Sequence, residues 1–167
     1  FEEIGYDANG MITRKTDELG NVTNYGYDKL GRNTSVTDDL GNTTSYEYDA
    51  NGNVTKVTYA NGNTISYEYD SRGNCIKTSF EDGSFILAKY NEYCLKVSET
   101  DRAGNTTEFE YDRFGRLIKV IDPEGNTTSY GYDSLGNMIS QTDANGNTTT
   151  FEYDLLGRRI KRTLPLG

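Results

Sequence analysis

Asp38–Val54 reads DDLGNTTSYEYDANGNV, and Asp143–Arg159 reads DANGNTTTFEYDLLGRR. The second stretch restates the first far along the chain, so the sequence has a period. Its anchor is Tyr-Asp, found at Tyr6-Asp7, Tyr27-Asp28, Tyr48-Asp49, Tyr69-Asp70, Tyr111-Asp112, Tyr132-Asp133 and Tyr153-Asp154. Tyr90-Asn91 fills the remaining slot. The spacing is 21 residues at all eight anchors, without insertion or deletion. Self-similarity at a fixed short period is the signature of a repeat architecture.

Four residues beyond each Tyr stands a Gly, with Cys94 as the exception. Fourteen beyond stands a second Gly, from Gly20 through Gly41 and Gly125 to Gly167. An Asp precedes most of the second set by three, although Tyr59 and Phe80 replace it in the middle. Each period therefore holds two copies of D-x-x-G. Asp opens a type I turn by accepting backbone N–H groups, and Gly closes it in the left-handed region. In Asp122-Pro123-Glu124-Gly125 the Pro falls at the second turn position, where its fixed φ is required. Between turns lie short runs rich in Thr, Tyr, Val and Ile, which suit strands. Tyr46/Tyr48, Tyr67/Tyr69 and Tyr130/Tyr132 each share a face, because side chains alternate.

The expected fold is all-β: a repetitive antiparallel meander of about 16 short strands, two per repeat. One array spans 1–167, with a degenerate repeat at 80–100. A strip of that many strands is expected to curve or spiral rather than stay flat. The register across each turn stays open, because a bulge would add one residue and reverse side-chain parity.

Composition narrows the function. The net charge is −9 with no basic run, which argues against nucleic acid, since phosphate contacts need clustered Lys and Arg. No apolar run reaches the roughly 20 residues of a membrane-spanning helix, so membrane insertion is not expected. No signal peptide is visible. The chain opens on Phe1 rather than Met, as expected of an excised or processed piece whose targeting signals lie elsewhere.

Chemistry-bearing patterns are sparse. There is no His, which removes His-based triads and His metal sites. The Asp residues sit at turn positions. Asp49-Ala50-Asn51-Gly52-Asn53 resembles the start of a calcium loop but lacks the downstream bidentate Glu. Asn21-Val22-Thr23 and Asn42-Thr43-Thr44 fit glycosylation sequons, which the repeat generates by itself. Cys75 and Cys94 fall two strands apart in a regular meander, too far for a disulfide, and are expected as thiols. Phe85-Ile86-Leu87 in the degenerate repeat reads as a more buried strand or as a contact for another domain. No catalytic residue, metal or cofactor is expected.

Tyr111-Asp112-Arg113-Phe114-Gly115-Arg116-Leu117, followed by Asp122-Pro123-Glu124-Gly125-Asn126-Thr127-Thr128-Ser129-Tyr130-Gly131-Tyr132-Asp133, resembles the tyrosine-aspartate repeat of the Rhs family. That family includes bacterial polymorphic toxins, insecticidal toxin complex components and teneurins. The resemblance implies a β-strip wound into a shell, and thus a non-catalytic module of a large secreted or cell-surface protein. Its partners would be adjacent repeats or domains of the parent chain and an encapsulated C-terminal payload. The alternative is a surface adhesion or carbohydrate-binding module. Exposed strand edges also invite self-association. The residues expected to build the repeat are Tyr27, Asp28, Gly31, Gly41, Tyr48, Asp49, Gly52, Tyr111, Asp112, Gly115, Gly125, Tyr132, Asp133 and Gly136. Tyr46, Tyr67, Phe85 and Tyr130 are the candidate ligand or partner contacts.

Overall fold

A computed structural model describes residues 2–165; the turn glycine expected at Gly167 lies outside them. The described residues form strands and turns with no helix. The chain divides into two compact units, the first ending at Phe85 and the second beginning at Ile86, inside the degenerate repeat. The first unit carries β1 Glu3–Tyr6, β2 Ile12–Thr16, β3 Val22–Tyr27, β4 Asn33–Thr37, β5 Thr43–Tyr48, β6 Val54–Thr58, β7 Thr64–Tyr69 and β8 Cys75–Phe80. The second carries β9 Phe85–Tyr90 apart from its first residue, which belongs to the first unit, then β10 Lys96–Thr100, β11 Thr106–Tyr111, β12 Leu117–Ile121, β13 Thr127–Tyr132, β14 Met138–Thr142, β15 Thr148–Tyr153 and β16 Arg159–Thr163. Within each unit the strand order is the chain order, and every described pairing is antiparallel. This is the all-β meander that the spacing predicts, with two strands per period.

Both kinds of turn have the same backbone. In the Tyr-Asp turn, Gly31 N–H donates to the Asp28 carbonyl at 3.0 Å and Asp28 N–H to the Arg32 carbonyl at 3.0 Å. In the second turn, Gly20 donates to Asp17 at 3.1 Å and Asp17 to Asn21 at 3.0 Å. Each is a type I turn closed by a left-handed residue, the three-residue hairpin loop with a glycine bulge. Gly31 has φ 77° and Gly52 has φ 92°, where a side chain is disfavoured.

The two hairpins differ in their strands. Across the second turn the register runs evenly, with Thr16 opposite Val22 and Lys15 opposite Thr23. Across the Tyr-Asp turn it slips by one: Tyr27 faces Asn33, yet Gly26 faces Ser35. Thr34 is therefore an extra residue, and the same bulge recurs at Thr55, Ile118 and Ile139. One bulge per repeat answers the parity left open by the sequence. The position nine beyond each Tyr comes onto the tyrosine face: Val36 faces Tyr25, Val57 faces Tyr46 and Val120 faces Phe109.

That face is where apolar burial concentrates, and it is thin. In the first unit Tyr46, Val57, Ile65 and Phe80 form a row across four strands. Among the described residues only Val57 and Phe151 are buried, and each keeps 7–8% of its exposure. On the other face, Glu residues one before the Tyr meet Lys residues eight beyond it. The pairs are Glu47–Lys56 at 3.7 Å, Glu68–Lys77 at 2.8 Å, Glu110–Lys119 at 3.1 Å and Glu152–Lys161 at 2.8 Å. Exposed pairs of this kind contribute about 0–1 kcal/mol each, so they select register more than they stabilise.

The degenerate repeat keeps the turn without its residues. Cys94 stands where Gly is otherwise found and adopts φ 60°. Its N–H still donates to the Asn91 carbonyl at 3.1 Å. A side chain in the left-handed region costs roughly 1–2 kcal/mol. Cys94→Gly is therefore expected to raise the melting temperature by a few degrees, read by circular dichroism. Cys94→Ala, which keeps a Cβ at this φ, is expected to give no such gain.

Candidate functional site

The repeated residues gather at the turns, most of them at the Tyr-Asp turns and Gly41 and Gly125 at the second turns. Asp7 accepts only through Oδ1, from the N–H groups of Asn9 and Met11, whereas the turn-opening Asp residues from Asp17 onward use both carboxylate oxygens. Oδ1 of Asp49 accepts the N–H groups of Asn51 and Asn53 at 2.9 and 2.8 Å, and Oδ2 accepts Asn53 Nδ2 at 2.9 Å. Asp133 repeats this with Leu135 and Asn137, and Asp122 with Glu124 and Asn126. At Asp28 and Asp112 the fifth residue is Arg, which donates Nε to Oδ2 at 2.7 Å. The D-x-N-G-N stretch at Asp49 is thus folded by internal bonds, with its carboxylate turned onto its own loop. No group of three or more potential metal-ligating side chains lies together among the described residues.

Where the first Asp is missing, the third position substitutes. Asn61 Oδ1 accepts Asn63 N–H at 3.0 Å, and Asp82 Oδ1 accepts Ser84 N–H at 3.0 Å. In the degenerate Tyr-Asp slot, Asn91 Oδ1 accepts Tyr93 N–H at 2.9 Å and Leu95 N–H at 3.1 Å.

The anchor tyrosines tie one repeat to the one before it. Tyr27 hydroxyl donates to the Ile12 carbonyl at 2.8 Å, and Tyr48 to Asn33 at 2.6 Å. Tyr69, Tyr111, Tyr132 and Tyr153 donate in the same way to Val54, Lys96, Leu117 and Met138, always fifteen residues back. The reason lies in the ladder. β2 and β3 pair from Thr16↔Val22 only as far as Arg14↔Asn24. The Ile12 carbonyl lies beyond that last pair, and the phenol supplies the donor that the backbone does not. A part-buried carbonyl left without a partner is costly.

Two arginines reinforce the junction from the other side. Arg32 stacks 4.7 Å from the Tyr48 ring and donates to the Asp49 carbonyl at 2.8 Å. Arg116 stacks 4.8 Å from the Tyr132 ring and donates to the Asp133 carbonyl at 3.0 Å. The second turn is latched by hydroxyl pairs: Thr37–Thr43, Thr100–Thr106 and Thr142–Thr148, each 2.8 Å apart. Thr16 faces Val22 instead, and its buried hydroxyl has no partner.

The candidate contact residues lie elsewhere. Tyr46, Tyr67 and Tyr130 are half-buried at mid-strand, opposite Val57, Thr78 and Gln141. Burial pushes the Tyr67 phenol above its ordinary value. Phe85 is 45% exposed with the Lys77 ammonium 5.8 Å from its ring. An open groove of about 750 Å³ in the second unit is lined by Tyr93, Leu95, Phe109, Tyr111 and Phe114. Cys75 and Cys94 are both thiols. Sequence reasoning missed the fifth turn residue, the Glu–Lys column and the hydroxyl bond. The first two are legible as columns once the repeats are stacked; the third needs the ladder geometry.

Tyr132→Phe is expected to destabilise the chain by about 1 kcal/mol, measured by urea denaturation. Tyr46→Phe, which removes no such bond, should change little. A pH dependence follows from the turn acids. Asp17, Asp38, Asp49 and Asp70 are held below the ordinary carboxylate value, first by the side-chain amides of their Asn partners. Asp28 and Asp154 are lowered first by the backbone N–H groups of Arg32 and Arg158. A carboxyl depressed in the folded state stabilises above its unfolded pKa of about 3.9 and loses that contribution as pH falls through the folded value. The urea midpoint is expected to stay level above about pH 5 and to fall steadily below about pH 4.

Comparison with known proteins agrees with this geometry. No curated protein matches the chain. Among solved structures, a TcdB2-TccC3 crystal structure superimposes with a TM-score of 0.81 at 21% identity, over 98% of this chain and 11% of that one. A Photorhabdus luminescens Tc holotoxin pore gives 0.52 at 16% identity, over 99% of this chain and 12% of that one. The chain thus spans about a tenth of these proteins, and at such identities the likeness is one of fold. The teneurin YD-shell family model matches residues 2–163, and the chain belongs to that family.

Proposed function

We propose that the chain is a non-catalytic segment of the wall of an Rhs-type shell, in a large secreted or cell-surface protein, where it helps to enclose or display another domain. The observation that supports this most is the direction of the anchor residues. Tyr hydroxyls and Asp carboxylates bond to backbone within the strip, repeat after repeat, instead of converging on a cleft. Tyr27, Asp28, Gly31, Gly41, Tyr48, Asp49, Gly52, Tyr111, Asp112, Gly115, Gly125, Tyr132, Asp133 and Gly136 are, on this reading, construction residues. The partners are neighbouring repeats and domains of a longer chain, including a payload. One of the similar structures is a Tc holotoxin pore, which is the setting in which such a wall would work. Half-burial of Tyr46, Tyr67 and Tyr130 favours packing over the adhesion alternative.

If repeats are interchangeable wall units, a whole one can be removed. Excision of residues 112–132, joining Tyr111 to Asp133, is expected to leave the β-type circular dichroism intact and to lower the melting temperature. Collapse of the fold, or sugar binding abolished by Tyr46→Ala and Tyr67→Ala, would overturn the reading in favour of a discrete binding module.

A further inference from the structure

The degenerate repeat changes one position that other repeats use to close the strip. Arg32 and Arg116 each lie over the next anchor Tyr and donate to the carbonyl seventeen residues on, at Asp49 and Asp133. Before Tyr111 that position is Leu95, which can neither place a cation on the ring nor donate to the Asp112 carbonyl. The groove of about 750 Å³ opens there, lined by Leu95, Val97 and Phe109. Tyr93 and Phe114 border it at the tips of successive Tyr-Asp turns, 75% and 67% exposed. A second groove of about 390 Å³ follows at the next turn, against Leu135, and Arg113 and Phe114 line both. We propose that the two grooves together bind a proline-rich segment of a partner protein, in the polyproline II conformation and with an acidic residue beside its prolines. The inference concerns this surface and stands apart from the shell reading.

Spacing is the first argument. Tyr93, Phe114 and Leu135 hold the same turn position in successive repeats, two strands apart, or about 9.6 Å by the spacing of strands. A polyproline II helix advances about 9.3 Å in each turn of three residues, so every third residue faces the same way. Two prolines one helical turn apart therefore meet successive grooves, with the Phe114 ring between them. Aromatic-lined grooves take such segments because the conformation exists before binding and little ordering remains to offset.

Hydrogen bonding and charge narrow the occupant. The carbonyls of a polyproline II segment form no internal bonds and need donors. Among the described residues the Tyr93 hydroxyl and the Arg113 guanidinium donate to nothing, and both border the first groove. The acids there are already matched, Asp112 by Arg116 at 2.6 Å and Glu110 by Lys119 at 3.1 Å. Arg113 enters no ion pair among the described residues and rests 4.6 Å from the Phe114 ring. The charge left open is thus a cation, which an acidic side chain on the segment complements. A second copy of this chain cannot supply the segment, because its two prolines, Pro123 and Pro165, stand far apart.

The test is fluorescence anisotropy with the labelled peptide Pro-Pro-Leu-Pro-Pro-Leu-Pro-Pro-Asp and its reverse, titrated with the 167-residue chain. Saturable binding of one of the two is expected, and weaker binding when Lys replaces the peptide's Asp. Phe114→Ala should weaken binding at least about tenfold. Arg113→Glu should reverse the preference in favour of the Lys peptide. Leu95→Arg supplies the arginine found at the other turns and is expected to close the groove and lose binding. Circular dichroism checks that each variant keeps its fold. Absence of saturable binding, or binding that Phe114→Ala and Leu95→Arg leave unchanged, would overturn the assignment. Retention of cellohexaose in place of the peptide, or a dimer that Phe114→Ala dissolves, would give the groove to another occupant and overturn it equally. None of these outcomes touches the shell reading.

Discussion

The bond from the hydroxyls of Tyr27, Tyr48, Tyr69, Tyr111, Tyr132 and Tyr153 to a carbonyl fifteen residues back is the constraint on which the rest depends. A sheet with so little buried apolar surface cannot hold its repeats together by burial alone. Hydrogen bonds and short ladders must carry the junctions. Bulging each Tyr-Asp hairpin shortens the ladder between repeats, and the phenol restores what the bulge removes. Bulge and tyrosine are thus one device in two parts.

Asp and Gly make the device repeatable. The carboxylate fixes the loop that positions the Tyr, and Gly permits the backbone that the loop requires. That Tyr59, Phe80 and Asn91 can replace Asp at the turn start shows how the load is shared. Backbone bonds of 2.9–3.1 Å persist there, and neighbouring Asn61 and Asp82 supply acceptors from a different position. Cys94 shows the limit, because the loop holds its φ and the residue bears the strain.

Much of this was legible in the sequence. Period, turns, strands and the all-β meander follow from Tyr-Asp spacing and D-x-x-G chemistry. Register did not follow, because the bulge is a property of two strands, whereas D-x-x-G describes only the loop. Yet a trace exists: the extra residue is β-branched in every repeat, from Thr13 and Thr34 through Ile76 and Val97 to Ile139 and Ile160. The tyrosine face was assigned correctly on its own strand, but Val57 and Val120 could join it only once parity was known. The Arg–Tyr stacking was hidden because its partners belong to different repeats.

The Glu–Lys column has a consequence for how such a chain can change over generations. Both members of each pair lie in the same hairpin, one before the Tyr and eight beyond it. At Gly26 and Gly131 the second position is Ser, Ser35 and Ser140, whereas Gly5 faces Arg14. The matching is therefore inherited within one hairpin. Unequal recombination that gains or loses whole hairpins leaves each Glu–Lys pair intact, so repeat number can drift while those pairs keep their register.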